Sequence, residues 1–474
     1  MRIPARLSTW MVFVGLALLL AGSGLSAAFA DQWELANGAV GLRKVAATVD
    51  LAADPSASAG LTAEDMEELD RRWSAGRTSY MARTPAMVTT AGGRTANADL
   101  LGVSAGYAAF HRLQAQPGSW IGATPVKEAS RVAVVSGALA DALFGSREVV
   151  GLTVSLLGEP FRIIGVAVSP DDGSLLASMT DNGTPDMYIP VTTLLELAPR
   201  VKVGAIELEM GDGAIVNGVA EARTALAAIG QPSSRYAFVN YAREQRWTAQ
   251  KPALVRLVLG AAAALLAARL AVRAARRLAA RTAAGLRRLD AADLLRADGA
   301  ALARLALAAA ACAAVASFAV VCARYGFYIP PESLPDELID VSFYVDRLRE
   351  AWQAQAAGMG YVPSPPEWLW QRTDSLVTGL STAGLLLGLP LAGLGLREWA
   401  LLRMPASAQA TRLCLALTAG VGLNAAAAWA AGAGAVYAVR PGELFLLAAA
   451  SVMWSISRHA RQFQSFYEQG VEYR

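Results

Sequence analysis

The chain has 474 residues, 54% of them hydrophobic and 17% charged, with a mean hydropathy of +0.36 and a formal net charge of +3. That is too apolar for an ordinary soluble enzyme of this length, and the near-neutral balance gives no electrostatic ground for nucleic-acid binding. Cys312, Cys322 and Cys414 all fall in apolar runs, which excludes a disulfide framework and a zinc-like spacing; with only His111 and His459 as histidines, no metal or other cofactor is expected.

A hydrocarbon core of about 30 Å asks for roughly 20 apolar helical residues. Residues 9–30 meet this, after Arg2 and Arg6. A basic start, an apolar middle and Ala28-Phe29-Ala30 also fit a cleaved signal peptide, but the run is longer than most signal cores and favours a retained first helix over residues 1–30.

No spanning run occurs from residue 31 to 251, where the pattern is that of a soluble α/β domain. TAEDMEELDRRWSA, residues 62–75, places acidic residues after a threonine and then an apolar period near 3.6, which predicts a capped helix. Residues 131–136 read as a buried strand, and 137–144 as a short helix ended by Gly145. Leu152, Val154 and Leu156 alternate with Thr153 and Ser155, so 152–157 and 161–168 are expected to form a hairpin that turns at Gly158-Glu159-Pro160. Polar turn-rich stretches, a strand at 187–190, an alternating segment at 205–210 and a helix at 214–230 follow.

The remaining candidates for crossings are 252–272, 300–323, 376–396, 413–433 and a short stretch at 443–456. Arg256 and Arg269 lie inside the first of these. An arginine at mid-membrane costs about 2.5–3.5 kcal/mol, but these two sit near the ends and can snorkel. The basic loop 273–299 holds Arg273, Arg276, Arg277, Arg281, Arg287, Arg288 and Arg296 against Asp290, Asp293 and Asp298, and is expected to be cytoplasmic. Arg397, Arg403, Arg412, Arg458 and Arg461 fall on that same side, and the acidic segment 324–375 falls on the other. The expected fold class is a membrane protein with about six transmembrane α-helices and an α/β periplasmic domain, residues 31–251, inserted between helices 1 and 2. Residues 252–323 hold helices 2 and 3, 324–375 a second small outer segment, 376–456 helices 4–6, and 457–474 a cytoplasmic tail.

The ordered words Leu101-Gly-Val-Ser104 with Tyr107 and Phe110, Val132-Ala-Val-Val-Ser136, Ala142-Leu-Phe-Gly145, Val150-Gly151, Leu157-Gly-Glu-Pro-Phe161 and Ile163-Ile-Gly-Val166 resemble the periplasmic core domain of MacB-like permeases. Arg397-Glu398-Trp-Ala-Leu-Leu-Arg403-Met-Pro-Ala-Ser407 is similar to the segment of FtsX-like permeases that follows an outer-to-inner helix and contacts a partner ATPase; residues 276–298 look like a blurred copy. The resemblance implies a permease subunit in the bacterial inner membrane, both termini cytoplasmic. It would couple ATP hydrolysis by a separate ABC ATPase subunit to motion of the periplasmic domain, for export or extraction of a drug, peptide or lipoprotein-like substrate. It also implies ATPase contacts at Arg397, Glu398, Leu402, Arg403 and Ser407 within 397–412 and at Arg276, Arg277 and Arg281. A second permease chain, a periplasmic adaptor and membrane lipid are the other partners that it suggests. Two departures matter: Pro405-Ala406 replaces the usual glycine, and the first copy lacks the glutamate after its arginines. They motivate an alternative, a non-transporting envelope scaffold derived from such a permease.

Gly102-Val-Ser104-Ala-Gly106 formally matches the G-x-S-x-G nucleophile elbow, but His111 is seven residues from the serine and His459 is expected on the other side of the membrane, so no hydrolase is expected. No Gly-Lys pair occurs anywhere, so a phosphate-cradling G-x-x-x-x-G-K-[ST] loop is absent and an ATPase would have to be a separate chain.

Overall fold

Continuous apolar sequence makes the first helix, which forms as α1 (Ala5–Leu20) and α2 (Ser26–Leu35) joined by a π turn, Ala21–Leu25. In this computed structural model the described residues are 4–35, 37–50, 59–168, 184–211, 213–329, 365–402 and 404–471, with isolated positions between 175 and 352. Most of the polar stretch 169–186 and of the segment 324–375 lies outside them. Two units are distinguished, one of residues 31–247 and 328–374, the other of 1–30, 248–327 and 375–474.

In the first unit, strands β1 (Lys44–Val49), β2 (Thr78–Thr90), β3 (Thr95–Val103), β4 (Gln114–Gly118), β5 (Val132–Ser136), β6 (Thr153–Leu156), β7 (Glu159–Val168), β8 (Asp186–Pro190), β9 (Ala205–Glu209) and β10 (Tyr236–Asn240) make one mixed sheet. Its order is β10-β1-β9-β2-β3-β8-β5-β7-β4, and β6 pairs with both β2 and β7. The pairings β2–β3, β3–β8, β8–β5, β5–β7, β7–β6 and β6–β2 therefore close a ring. Helices α3 (Ala63–Arg72), α4 (Tyr107–Phe110), α5 (Ala123–Lys127), α6 (Gly137–Phe144), α7 (Val191–Leu197) and α8 (Ala214–Ala228) accompany the strands. Val88, Leu100, Val135, Leu156, Phe161, Ile163 and Ile189 of the strands pack with Leu139 and Leu143 of α6, Leu194 of α7 and Leu226 of α8 in one buried cluster. Each such side chain contributes about 1.5–3 kcal/mol relative to exposure.

Local chemistry explains several boundaries. Thr62 caps α3 in a reciprocal box: its hydroxyl accepts from the Asp65 amide, and the Asp65 carboxylate accepts from the Thr62 amide. Gly145 ends α6 with φ 71°. The hairpin forms, but its turn lies earlier than expected, at Leu157-Gly158, while Glu159 and Pro160 belong to β7. A two-residue connection whose twist suits the strands needs positive φ at both positions; Gly158 supplies 86°, and Leu157 is held at 53°.

The remaining helices, which from residue 248 to 327 and from 375 onward lie in the second unit, are α9 (Tyr241–Leu286), α10 (Ala291–Cys322), α11 (Pro365–Ala383), a π turn at Gly384–Gly388, α12 (Leu389–Leu401), α13 (Ala406–Ala430) and α14 (Pro441–Val471). Five helices among the described residues are long and apolar enough to cross a membrane: Arg6–Leu35, Tyr241–Leu286, Ala291–Cys322, Glu367–Leu401 and Ala406–Ala430. The expected sixth crossing falls on α14, which is not among the five because its apolar stretch is short. The stretch 273–299, expected as a loop, is largely helical: α9 has 46 residues, about 70 Å of helix, and only residues 287–290 separate it from α10. Alanine, leucine and arginine are strong helix formers, and no glycine or proline falls between residue 273 and Gly285.

Backbone contact between the first helix and α11–α12 organises this unit. A Cβ on Gly15 would lie 2.5 Å from the Ala392 amide nitrogen, one on Gly388 2.9 Å from the Gly15 carbonyl, one on Gly384 2.9 Å from the Leu18 carbonyl, and one on Gly395 2.8 Å from the Ser8 carbonyl. The two π turns meet in this seam, with Gly22 Cα 3.3 Å from the position of a Gly384 Cβ. Since the Ser26 amide bonds to the Ala21 carbonyl five residues back, the Gly22 carbonyl lacks that amide and accepts hydrogen bonds from the hydroxyls of Ser26 and Ser381 instead.

Gly388→Val is expected to separate the two helices and abolish recovery of folded protein from detergent, whereas Gly379→Val, at a position with open space, should leave recovery unchanged; size-exclusion chromatography distinguishes the two. Leu157→Asn should raise stability by about 1 kcal/mol by relieving the left-handed leucine, read as a higher unfolding midpoint of the full chain.

Candidate functional site

The segment similar to an ATPase contact forms an elbow between α12 and α13. Leu402 continues α12 through its amide bond to the Glu398 carbonyl (2.9 Å), the Met404 amide returns to the Trp399 carbonyl (3.3 Å), and Pro405 stands before the first turn of α13. Gln409 Nε2 donates to the Met404 carbonyl at 3.0 Å, and Arg412 Nη1 donates to Thr9 Oγ1 at 3.1 Å, which joins the elbow to the start of α1. Trp399 is fully buried beneath it. Arg397 and Ser407 are exposed, Glu398 and Leu402 half-buried, and Arg403 lies outside the described residues. Arg276, Arg277 and Arg281 are exposed on α9, a separate helix from the elbow. A buried anchor with exposed polar side chains is an arrangement that a partner protein can grip.

A second constellation lies in the other unit, built around a fully buried lysine. Lys44 of β1 donates to the Phe110 carbonyl at 2.8 Å and to Glu207 Oε1 of β9 at 2.9 Å, and its Nζ lies 4.5 Å from the centre of the Tyr241 ring. The second Glu207 oxygen is 2.8 Å from His111 Nε2. His111 in turn packs on Tyr107, with ring centres 4.1 Å apart, and Tyr241 stacks on Trp33 at 5.3 Å with the planes parallel to within 1°. Trp33 and Tyr241 flank the points where the chain enters and leaves this unit. The Ser104 hydroxyl accepts from the Tyr80 amide at 3.1 Å, and His111 is engaged with Glu207, so the formal nucleophile-elbow match has its serine and histidine committed elsewhere.

Residues 12–226 match a protein family described as the MacB-like periplasmic core domain. The chain carries a MacB-like periplasmic core domain. Among solved structures it is similar to the periplasmic region of MacB from Actinobacillus actinomycetemcomitans, at 16% identity over 43% of this chain and 91% of that one (TM-score 0.35). It is also similar to the extracellular domain of the noncanonic ABC-type transporter YknZ from Gram-positive bacteria, at 18% identity over 42% and 100% (TM-score 0.33). A third is a domain of a permease protein from Porphyromonas gingivalis, at 13% identity over 42% and 96% (TM-score 0.29). No curated protein matches the chain.

Within the MacB-like domain the electrostatics of the buried cluster follow from its geometry. Burial alone would push the Glu207 carboxyl up, but the charges of His111 and Lys44, and their hydrogen bonds, hold it well below the usual carboxylate range. Burial pushes Lys44 down, opposed by Glu207. Burial also raises the Tyr107 phenol, with the Glu207 charge adding to the effect. Sequence reading did not single out this cluster: alternation through β9 assigns Glu207 to a polar face, and Lys44 and His111 are distant in the chain. Four lysines in 474 residues, one of them inside a strand rich in alanine and valine, is the only signal that pointed to it.

Lys44→Met is expected to destabilise the MacB-like domain by about 3–5 kcal/mol, because it leaves Glu207 buried and uncompensated; the double variant K44M/E207L should recover most of that loss in thermal unfolding. Since the folded carboxyl of Glu207 is depressed, the unfolded chain binds more protons in acid. Its stabilisation is then full above the unfolded value near 4.3 and is lost as pH falls below it. The unfolding midpoint of the wild type should drop more steeply than that of E207Q as pH falls below about 5, the difference setting in around the unfolded value near 4.3 and growing as pH falls further towards the depressed folded value.

Proposed function

We propose that the chain is the permease subunit of an ABC transporter, driven by a separate ATPase that docks on the elbow at Arg397, Glu398, Leu402, Arg403 and Ser407 and on Arg276, Arg277 and Arg281 of α9. The match to the MacB-like periplasmic core domain carries this reading. It is supported by an elbow whose Arg397 and Ser407 point outward from a buried tryptophan. In this reading α14 is the sixth crossing, both termini are cytoplasmic in a bacterial inner membrane, and the domain from residue 31 to 251 is periplasmic. Nucleotide-driven closure of the ATPase would shift the helices attached to the elbow and move the periplasmic domain against a drug, peptide or lipoprotein-like substrate. A second permease chain and a periplasmic adaptor would complete the assembly. Pro405, standing where the related segments carry glycine, favours as a second reading a scaffold in which the elbow no longer transmits force.

The double variant R397A/E398A discriminates. For a working permease a P-loop ATPase should co-purify with the wild type, and the variant should lose export and at least tenfold of the ATPase stimulation, about 1.4 kcal/mol of coupling. Unchanged export and ATPase stimulation in the variant would remove the elbow from the mechanism.

A further inference from the structure

Three helices of the membrane-type unit converge on a buried carboxylate. Glu443, in the first turn of α14, has a side chain only 5% exposed. Its Oε1 lies 3.7 Å from Arg256 Nε of α9 and makes no hydrogen bond, and its Oε2 accepts from the Ser23 hydroxyl of the first π turn at 3.5 Å. That hydroxyl has a shorter bond, 2.9 Å, to the Leu19 carbonyl. Arg440 and Tyr437, from the segment leading into α14, complete the charged and polar surroundings, and Gly24 leaves the room that the carboxylate occupies, since a Cβ there would lie 3.3 Å from Oε2.

A charge-assisted hydrogen bond is normally about 2.7–2.9 Å long, and an ionised carboxylate has about four acceptor sites. Among the described residues Glu443 has one long bond, one long ion pair and the charge of Arg440 nearby, so its removal from water is only partly offset. An arrangement that returns so little lies close in free energy to one in which the carboxylate finds water or a closer guanidinium. The glycine seam is the opposite case, with backbone touching backbone along its length. The two contacts on the first helix thus differ in kind: the seam is close-packed backbone, and the carboxylate contact is long and loosely bonded.

We propose that Glu443, Arg256 and Ser23 form a releasable latch that holds α9 and α14 to the first helix, while the seam between the first helix and α11–α12 stays closed. The latch does not depend on the permease reading, because its test needs no ATPase; within that reading, its release is what frees α9, the helix that carries Arg276, Arg277 and Arg281, to shift.

Two thiol reporters test it in the full chain, in native membranes, with Cys312 and Cys414 replaced by alanine. A Cβ on Gly442 would lie 3.5 Å from Cys322 Sγ, so Gly442→Cys reports whether the start of α14 stays in place. Ala17→Cys with Gly420→Cys, whose Cβ atoms would be 3.8 Å apart, reports whether the first helix keeps its packing away from the latch. Copper-phenanthroline oxidation should close both pairs readily in an otherwise wild-type chain. Glu443→Gln or Arg256→Gln should slow the G442C–Cys322 disulfide by about fivefold or more, leave the A17C–G420C pair unchanged, and be reversed by the exchanged pair R256E/E443R. If neither reporter responds to neutralisation the pair is idle, and if both slow together it is an ordinary packing element; either result overturns the latch.

Discussion

The close approach of the first helix to α11–α12 is the contact on which the membrane-type unit depends. Lipid tails solvate leucine as well as other leucines do, so apolar helices in a bilayer gain little from burying side chains against each other. They gain from van der Waals contact at short range, and that requires residues without bulk. Gly15, Gly22, Gly384, Gly388 and Gly395 meet this requirement at successive turns, while Gly379 and Gly393 of the same stretch face open space. The paired π turns belong to the same logic: a helix that widens to five-residue hydrogen bonding frees a carbonyl, and two serines from the two helices satisfy the one at Gly22. Asn424 of α13 adds a third helix by donating to the Ala17 carbonyl at 3.1 Å.

The MacB-like domain obeys different rules because water bathes its surface. It draws on a hydrophobic core of ordinary composition, and spends some of that stability on a buried charge pair shared with a histidine. Pairs of this sort give little net stability compared with a well-packed apolar substitute, and breaking one by removing a partner is costly. Lys44 reaches Glu207, the Phe110 carbonyl and ring and the Tyr241 ring, which ties β1 to β9, to the end of α4 and to the start of α9. Specificity of arrangement at the place where the chain passes into helices is what such a cluster supplies.

Much of this was readable in the residues, and the failures have physical reasons. The capping box of α3, the glycine stop of α6 and the alternation of β6 are short-range signals, and the structure shows all three. The hairpin turn moved because positive φ, which no composition rule assigns to a leucine, was imposed on Leu157 by the strands on either side. Strands β1 to β4 carry no clean alternation; β2 contains Pro85, and β4 contains Pro117. The basic stretch after residue 272 was read as a loop from its charge, whereas helix formation follows backbone propensity, to which arginine is no obstacle. At the elbow the exposed residues were legible from sequence resemblance, but the bond from Arg412 to Thr9 spans 403 positions and no local pattern announces it. The Lys44 cluster has the same character, joining residues 163 apart through Glu207.

The closed ring of six strands limits how anything can attach to the MacB-like domain. A sheet offers hydrogen-bonding templates only at its margins, and a hairpin tied on both sides has none to give. The remaining margins are β10, which runs directly into α9, and β4, where Pro117 has no amide to donate. Around the ring itself, visitors must therefore read side chains rather than extend the sheet, and strand exchange between neighbouring copies is confined to the two margins.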